Sequence, residues 1–190
     1  MNNMGRILHW FYCLPMGQAA VLMVLAALVF RWMDFRWRKH PLFTGLTAAV
    51  FALWVGAMAY TTLGNRESGE QYRVSLELFH SYRELLSGGN IEILRSNFMN
   101  GALFFPGGVL LGALVPRRWP LWAKVLMGTV ILGAFSIGVE YMQYAFALGR
   151  VEADDVFHNT LGALLGLLAG TLGGSFESLA SQGSDTNEIR

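Results

Sequence analysis

Glu140 is the residue around which the chemistry of this sequence gathers. Ser136 precedes it by four positions and Gln143 follows by three, a spacing that puts all three on one helix face. The surrounding run, 121–147, is mostly apolar. An ionisable group inside a membrane costs roughly 2.5–3.5 kcal/mol at mid-depth on insertion scales, so it defaults to a functional candidate. Such a carboxylate needs a partner, and Arg150 or Arg95 is expected to supply one. Downstream, Asp154-Asp155-Val156-Phe157-His158-Asn159 opens another apolar run, with Asp155 and Asn159 on one face. Asn100 stands at the polar entry of a third. The expected ligand-binding set is therefore Asn100, Glu140, Gln143, Arg150, Asp154, Asp155 and Asn159, with Glu140 and Asp155 the candidates for catalysis. Amides and carboxylates suit hydroxyls and peptide groups, while a guanidinium suits a phosphate or carboxylate.

Plainer readings compete. Asp154 or Asp155 at a helix start would stabilise it through the free amides and the dipole. Asn100 and Asn159 would serve as well for hydrogen bonds between helices. Glu140 has the weakest alternative of this kind. No HExxH, GxSxG or P-loop pattern occurs. His9, His40, His80 and His158 are scattered without ligand spacing, so no metal site is expected and no cofactor is implied. Cys13 is alone, which excludes an internal disulfide. A net charge of +1, with no basic stripe, gives no reason to expect nucleic acid.

The elements that must position these residues follow from composition. Of the 190 residues, 54% are hydrophobic and 14% charged, and the charges cluster between long apolar runs. Those runs, near 14–31, 43–63, 98–115, 121–147 and 156–174, are each long enough for a membrane span. Without period-two alternation, they predict an all-α, polytopic transmembrane bundle of about five spans. The first run lacks a cleavage motif, reads as an anchor rather than a signal peptide, and is followed by Arg31, Arg36, Arg38 and Lys39. That basic loop and the one with Arg117 and Arg118 are expected on the cytoplasmic side. The loops 64–97 and 148–155 are then outside, as is the N-terminus, with the polar cluster near the outer surface and the C-terminus cytoplasmic. Trp10, Tyr12, Trp32, Trp37, Tyr60, Trp119, Trp122 and Tyr144 sit near span ends, as an aromatic belt does.

Within the outer loop, Tyr72, Leu76, Phe79, Tyr82 and Leu86 recur at near-helical spacing, which predicts an amphipathic helix at the interface. Residues 1–174 are expected to form a single domain and 175–190 a disordered cytoplasmic tail. Gly162, Gly166, Gly170 and Gly174 make a small-residue ridge, and Gly108 and Gly112 a shorter one; these suit packing within the monomer or a homodimer.

Taken together the motifs resemble a known family. The stretch from Asn100 through Leu103-Phe104 and Pro106 to Gly108 looks like the Asn-x-x-Leu-Phe-x-Pro-x-Gly segment of the VanZ-like family. Glu140-x-x-Gln143, Arg150 and Asp154-Asp155-x-x-x-Asn159-x-x-Gly162-x-x-x-Gly166 resemble its second block. The match covers about residues 72–172. Ser75–Phe79 resembles an upstream family segment loosely, with Glu77 departing from it, so no role transfers there. The resemblance implies a bacterial cytoplasmic-membrane protein of the cell envelope, in a family whose named member is associated with resistance to the glycopeptide teicoplanin. The expected function is an outward-facing polar pocket that binds or remodels the head group of a lipid-linked wall precursor or a glycopeptide. One alternative is a membrane enzyme with Glu140 as general acid or base and Asp155 assisting or helping to hold a cation. Another is a transporter or flippase component.

Overall fold

The computed structural model describes the backbone of residues 16–38, 40–64, 73–116 and 118–185, with side chains as far as Thr171. Expectations placed on Trp10, Tyr12, Cys13, Lys39, Tyr72, Arg117 and residues 186–190 lie outside the described residues, and of Gly174 only the backbone is described. In chain order the elements are α1 (Met16–Trp37), α2 (Pro41–Ala59) with a π turn at Tyr60–Gly64, and β1 (Arg73–Ser75). There follow α3 (His80–Leu86), α4 (Glu92–Leu114), α5 (Leu121–Ala145), β2 (Arg150–Glu152) and α6 (Ala153–Asp185).

Helices α1, α2 with its π turn, α4 and α5 are long and apolar enough to cross a membrane. At about 1.5 Å per residue, each reaches across a hydrocarbon core of about 30 Å. Helix α6 bears the fifth apolar run, so the chain is a polytopic helical membrane bundle of about five spans. Its outward faces are apolar, as lipid requires: Leu22, Leu25 and Leu28 on α1, Leu42, Leu46 and Leu53 on α2, and Leu126 and Ile137 on α5 are all exposed.

The scaffold of the bundle is the closely packed pair α4 and α6. Their backbones touch because glycines face each other. A methyl added at Gly162, Gly166 or Gly170 would overlap the carbonyls of Gly101, Phe105 and Val109, and one at Gly108 would overlap that of Ala163. The ridge seen in the sequence is thus occupied within the monomer as far as Gly170. Around this seam Phe104, Leu132, Ala163, Leu167 and Met58 form the core, bordered by Phe51, Trp54 and Phe135.

At one end of the bundle, Asp34 is fully buried between Arg31 and Arg38, at 3.1 and 3.2 Å. Arg38 also donates to the Ala113 and Val115 carbonyls, where α4 runs out of intrahelical donors, and Arg31 to that of Gly170. Positive charge against a helix C-terminus is favourable, so the basic residues of the first loop are partly helix caps. The opposite end carries α3 and a two-stranded parallel pair, in which Arg73 lies beside Arg150, Val74 beside Val151 and Ser75 beside Glu152. This is the polar end.

Three details differ from the sequence expectation. Helix α4 begins at Glu92 rather than near 98, so it rises beyond its apolar part and absorbs the end of the expected loop. The amphipathic helix is confined to His80–Leu86, because residues 73–75 pair as a strand instead. Residues 175–185 of the expected tail continue α6.

Candidate functional site

The sequence-predicted residues separate into three places at the polar end. Five of them, Asn100, Glu140, Gln143, Asp155 and Asn159, line one cavity of about 80 Å³. Helix period explains the convergence. Glu140 and Gln143 come from the last turns of α5 and Asp155 and Asn159 from the first turns of α6, while Asn100 projects from the middle of α4. The wall is completed by Met58, Thr61 and Thr62 from the end of α2.

Each polar group there is held. Asn100 Nδ2 donates to Asp155 Oδ1 at 2.6 Å, and Asn159 Nδ2 to the fully buried Ser136 Oγ at 3.0 Å. Glu140 is buried, and its Oε2 accepts the Glu152 backbone N–H at 3.2 Å, which ties β2 to α5. Gln143 Nε2 donates to the Thr62 carbonyl at 3.2 Å. That carbonyl lies in the π turn, where the normal helical ladder is broken. Gln143 Oε1 is different: it is buried and accepts no hydrogen bond. A buried acceptor left unmade costs about 1–3 kcal/mol, so this atom calls for a partner from outside the protein.

Arg150 is not Glu140's counter-ion, as the sequence led us to expect. It sits on β2, exposed, with its Nε 2.9 Å from Glu152 Oε1. The strand turns it away from the cavity and toward a larger polar bay of about 360 Å³, lined also by Arg73, Ser75, His80, Glu84 and Asn97. Arg95, the other expected partner, lies 3.6 Å from Glu92 on its own helix.

Asp154 has a third environment. It caps a helix, but not its own. Its carboxylate accepts the amides of Phe79 at 2.5 Å and Ser81 at 2.8 Å, at the start of α3, together with the Ser81 hydroxyl at 2.5 Å. Burial works to raise the Asp154 pKa. The Ser81 hydroxyl and amide, the Phe79 amide and the neighbouring His158 outweigh it, so the group lies below its ordinary value. Asn97 Nδ2 donates to Ser81 Oγ at 2.9 Å, and the Tyr82 hydroxyl meets His158 Nε2 at 2.8 Å. His158 Nδ1 is 2.6 Å from the Asp154 carbonyl, which only accepts, so Nδ1 carries hydrogen and Tyr82 is the donor to Nε2.

Ser81, Asn97, Thr62, Glu152 and Arg73 escaped the sequence reading. Asn97 had a detectable signal, a lone amide three residues before Asn100. Among the described residues no group of three or more His, Cys, Asp or Glu side chains has the geometry to hold a metal.

No curated protein and no solved structure matches the chain. The protein-family comparison is decisive: the VanZ/LLP1 model matches residues 19–173, which span α1 to α6 and include all seven predicted site residues, and the chain belongs to the VanZ/LLP1 family.

Proposed function

We propose that this VanZ-family membrane protein binds part of a polar head group in the cavity between α2, α4, α5 and α6, on the extracytoplasmic side, and acts on envelope assembly through that contact. The observation behind this reading is the unpartnered Gln143 Oε1, buried beside two carboxylates in a cavity of about 80 Å³. Asn100, Asn159 and Gln143 each give one amide hydrogen to a protein acceptor, while the Gln143 Oε1 acceptor receives none. The cavity therefore asks its ligand for donors, such as a sugar hydroxyl or a peptide N–H. Its volume suits one or two such groups rather than a whole sugar. A lipid-linked wall precursor or a lipoglycopeptide such as teicoplanin presents groups of this kind. The basic loops at the opposite end support an outward orientation for the cavity.

The test is expression in a teicoplanin-sensitive bacterium, with Glu140→Gln and Asp155→Asn variants matched for membrane abundance. Protection by the parent and not by the variants supports the reading. Protection that survives both substitutions removes the cavity from the function.

Glu140 and Asp155 lining the same cavity favours a second reading, acid–base chemistry on the bound lipid. Turnover of a labelled lipid-linked substrate by purified protein, abolished in Glu140→Gln, would select it; binding without turnover selects the first reading.

A further inference from the structure

The oxygen that Gln143 brings to the cavity is aimed by the end of α2. That helix closes in the π turn at Tyr60–Gly64, where two threonines bond one atom. The hydroxyls of Thr61 and Thr62 both donate to the Met58 carbonyl, at 3.1 and 2.6 Å. A hydroxyl that bonds a carbonyl three or four residues back competes with the helical ladder and bends the helix. The threonine pair is thus a local cause for the widened turn.

Within that turn the Thr62 carbonyl takes its partner from another helix, accepting from Gln143 Nε2 at 3.2 Å. A backbone carbonyl only accepts, so it can meet the nitrogen of the Gln143 amide and not its oxygen. Turning the amide over would set Oε1 against the carbonyl, two acceptors face to face. The nitrogen therefore stays with the turn. Oε1, on a side chain only 2% exposed, is left unpartnered at the cavity wall. Thr61 and Thr62 line the same wall, with their hydroxyl hydrogens spent on Met58. Gln143 Oε1 and the two hydroxyl oxygens thus offer lone pairs and no hydrogen.

We propose that the π turn is the specificity element of the cavity. Thr61 and Thr62 are positioning residues that hold the Thr62 carbonyl against Gln143 Nε2. The wall then accepts an N–H or O–H and repels an oxygen of the same outline. This selection rests on the head-group reading for what enters the cavity, whereas the aim of Gln143 stands on the hydrogen bonds alone.

The experiment uses the full chain in detergent, with glutamine side-chain amides labelled for NMR and the Gln143 signal assigned from its absence in Gln143→Leu. N-methylacetamide and methyl acetate are the probes, two molecules of nearly one shape that differ in an N–H against an oxygen. Without a probe, one Gln143 Nε2 proton of the parent should show the downfield shift of a hydrogen bond. The parent should bind N-methylacetamide about tenfold more tightly than methyl acetate, the worth of one hydrogen bond. In a Thr61→Val, Thr62→Val double variant the downfield shift should be lost and the preference should vanish. Thr61→Ser with Thr62→Ser keeps both hydroxyls and should restore both. A merely structural role for the threonines would weaken the two probes together and leave their ratio unchanged. An Nε2 signal unmoved by the valine pair, equal binding of the probes by the parent, or no binding of either overturns the proposal. The parent's own shift and preference are read first, so a valine pair that fails to fold leaves the proposal refutable. The head-group reading fails separately, on protection that survives Glu140→Gln and Asp155→Asn.

Discussion

Glu140 and Asp154 are both buried carboxylates at the polar end, but their hydrogen bonds commit them to different work. Among its bonds Glu140 accepts one backbone amide, from β2, and faces a cavity. Asp154 accepts two amides and a hydroxyl from α3 and has a structural assignment. The expected outcome for Glu140→Gln is a loss of ligand affinity of about ten- to a hundredfold, the worth of a charge-assisted hydrogen bond of about 1.5–3 kcal/mol. Thermal stability in detergent should change little, and titration of a soluble head-group fragment against parent and variant reads the difference. Asp154→Asn should instead loosen α3, with faster amide exchange at Phe79 and Ser81. The pH dependence of the parent has a definite sign. The Asp154 pKa is lowered in the folded protein, so its contribution is complete above the ordinary carboxylate value of 3.8. It is lost only as pH falls through the lower, folded value. Amide exchange at Ser81, corrected for the intrinsic pH dependence of exchange, should show unchanged protection between neutral pH and about pH 5 and falling protection in strong acid. Loss already at pH 6 would mean another group holds α3.

Helical period made five of the seven predicted residues, those that line one cavity, legible together, because i, i+3 and i+4 spacing places side chains on a shared face whatever the helix packs against. The same reasoning could not see Asp154's partners. Phe79 and Ser81 lie more than seventy positions earlier, and only docking of α3 onto α6 brings them close. Nor could it separate Arg150 from Glu140, since a strand of three residues is too short to leave an alternation signal yet reverses which way the arginine faces. At the scale of elements, span positions were legible from hydropathy, and α5 falls almost where its apolar run does. The start of α4 was not, because residues 92–97 mix Ile93 and Leu94 with polar side chains and continue the helix above the apolar region.

The α4–α6 seam carries its own prediction. Gly166 faces the Phe105 carbonyl and the Gly108 Cα so closely that no side chain fits without separating the helices. Overpacking of this kind costs typically 1–3 kcal/mol and occasionally more. Gly166→Leu should lower the midpoint of thermal unfolding clearly, whereas Gly138→Leu, where nothing stands within 4 Å, should not. Helix propensity favours leucine over glycine at both sites, so equal losses at the two would mean that the seam does not set the cost.

For the whole molecule, the arrangement of charge along the bundle axis decides how it sits in the membrane. One end holds the basic α1 terminus, where Arg31 and Arg38, both paired with Asp34, donate to carbonyls of α6 and of the α4 end. The other holds α3, the strand pair and the candidate cavity. Positive charge is retained on the cytoplasmic side during insertion, so α3 and the strand pair should face outward. Single cysteines in a Cys13→Ser background test this directly. Leu86→Cys, on the exposed face of α3, should react with an impermeant maleimide added to intact cells. Arg36→Cys, exposed at the end of α1, should react only after the membrane is opened. The reverse pattern would put the candidate cavity on the cytoplasmic side. The cavity would then meet cytoplasmic lipid precursors before export, and an antibiotic acting outside the cell could not be its ligand.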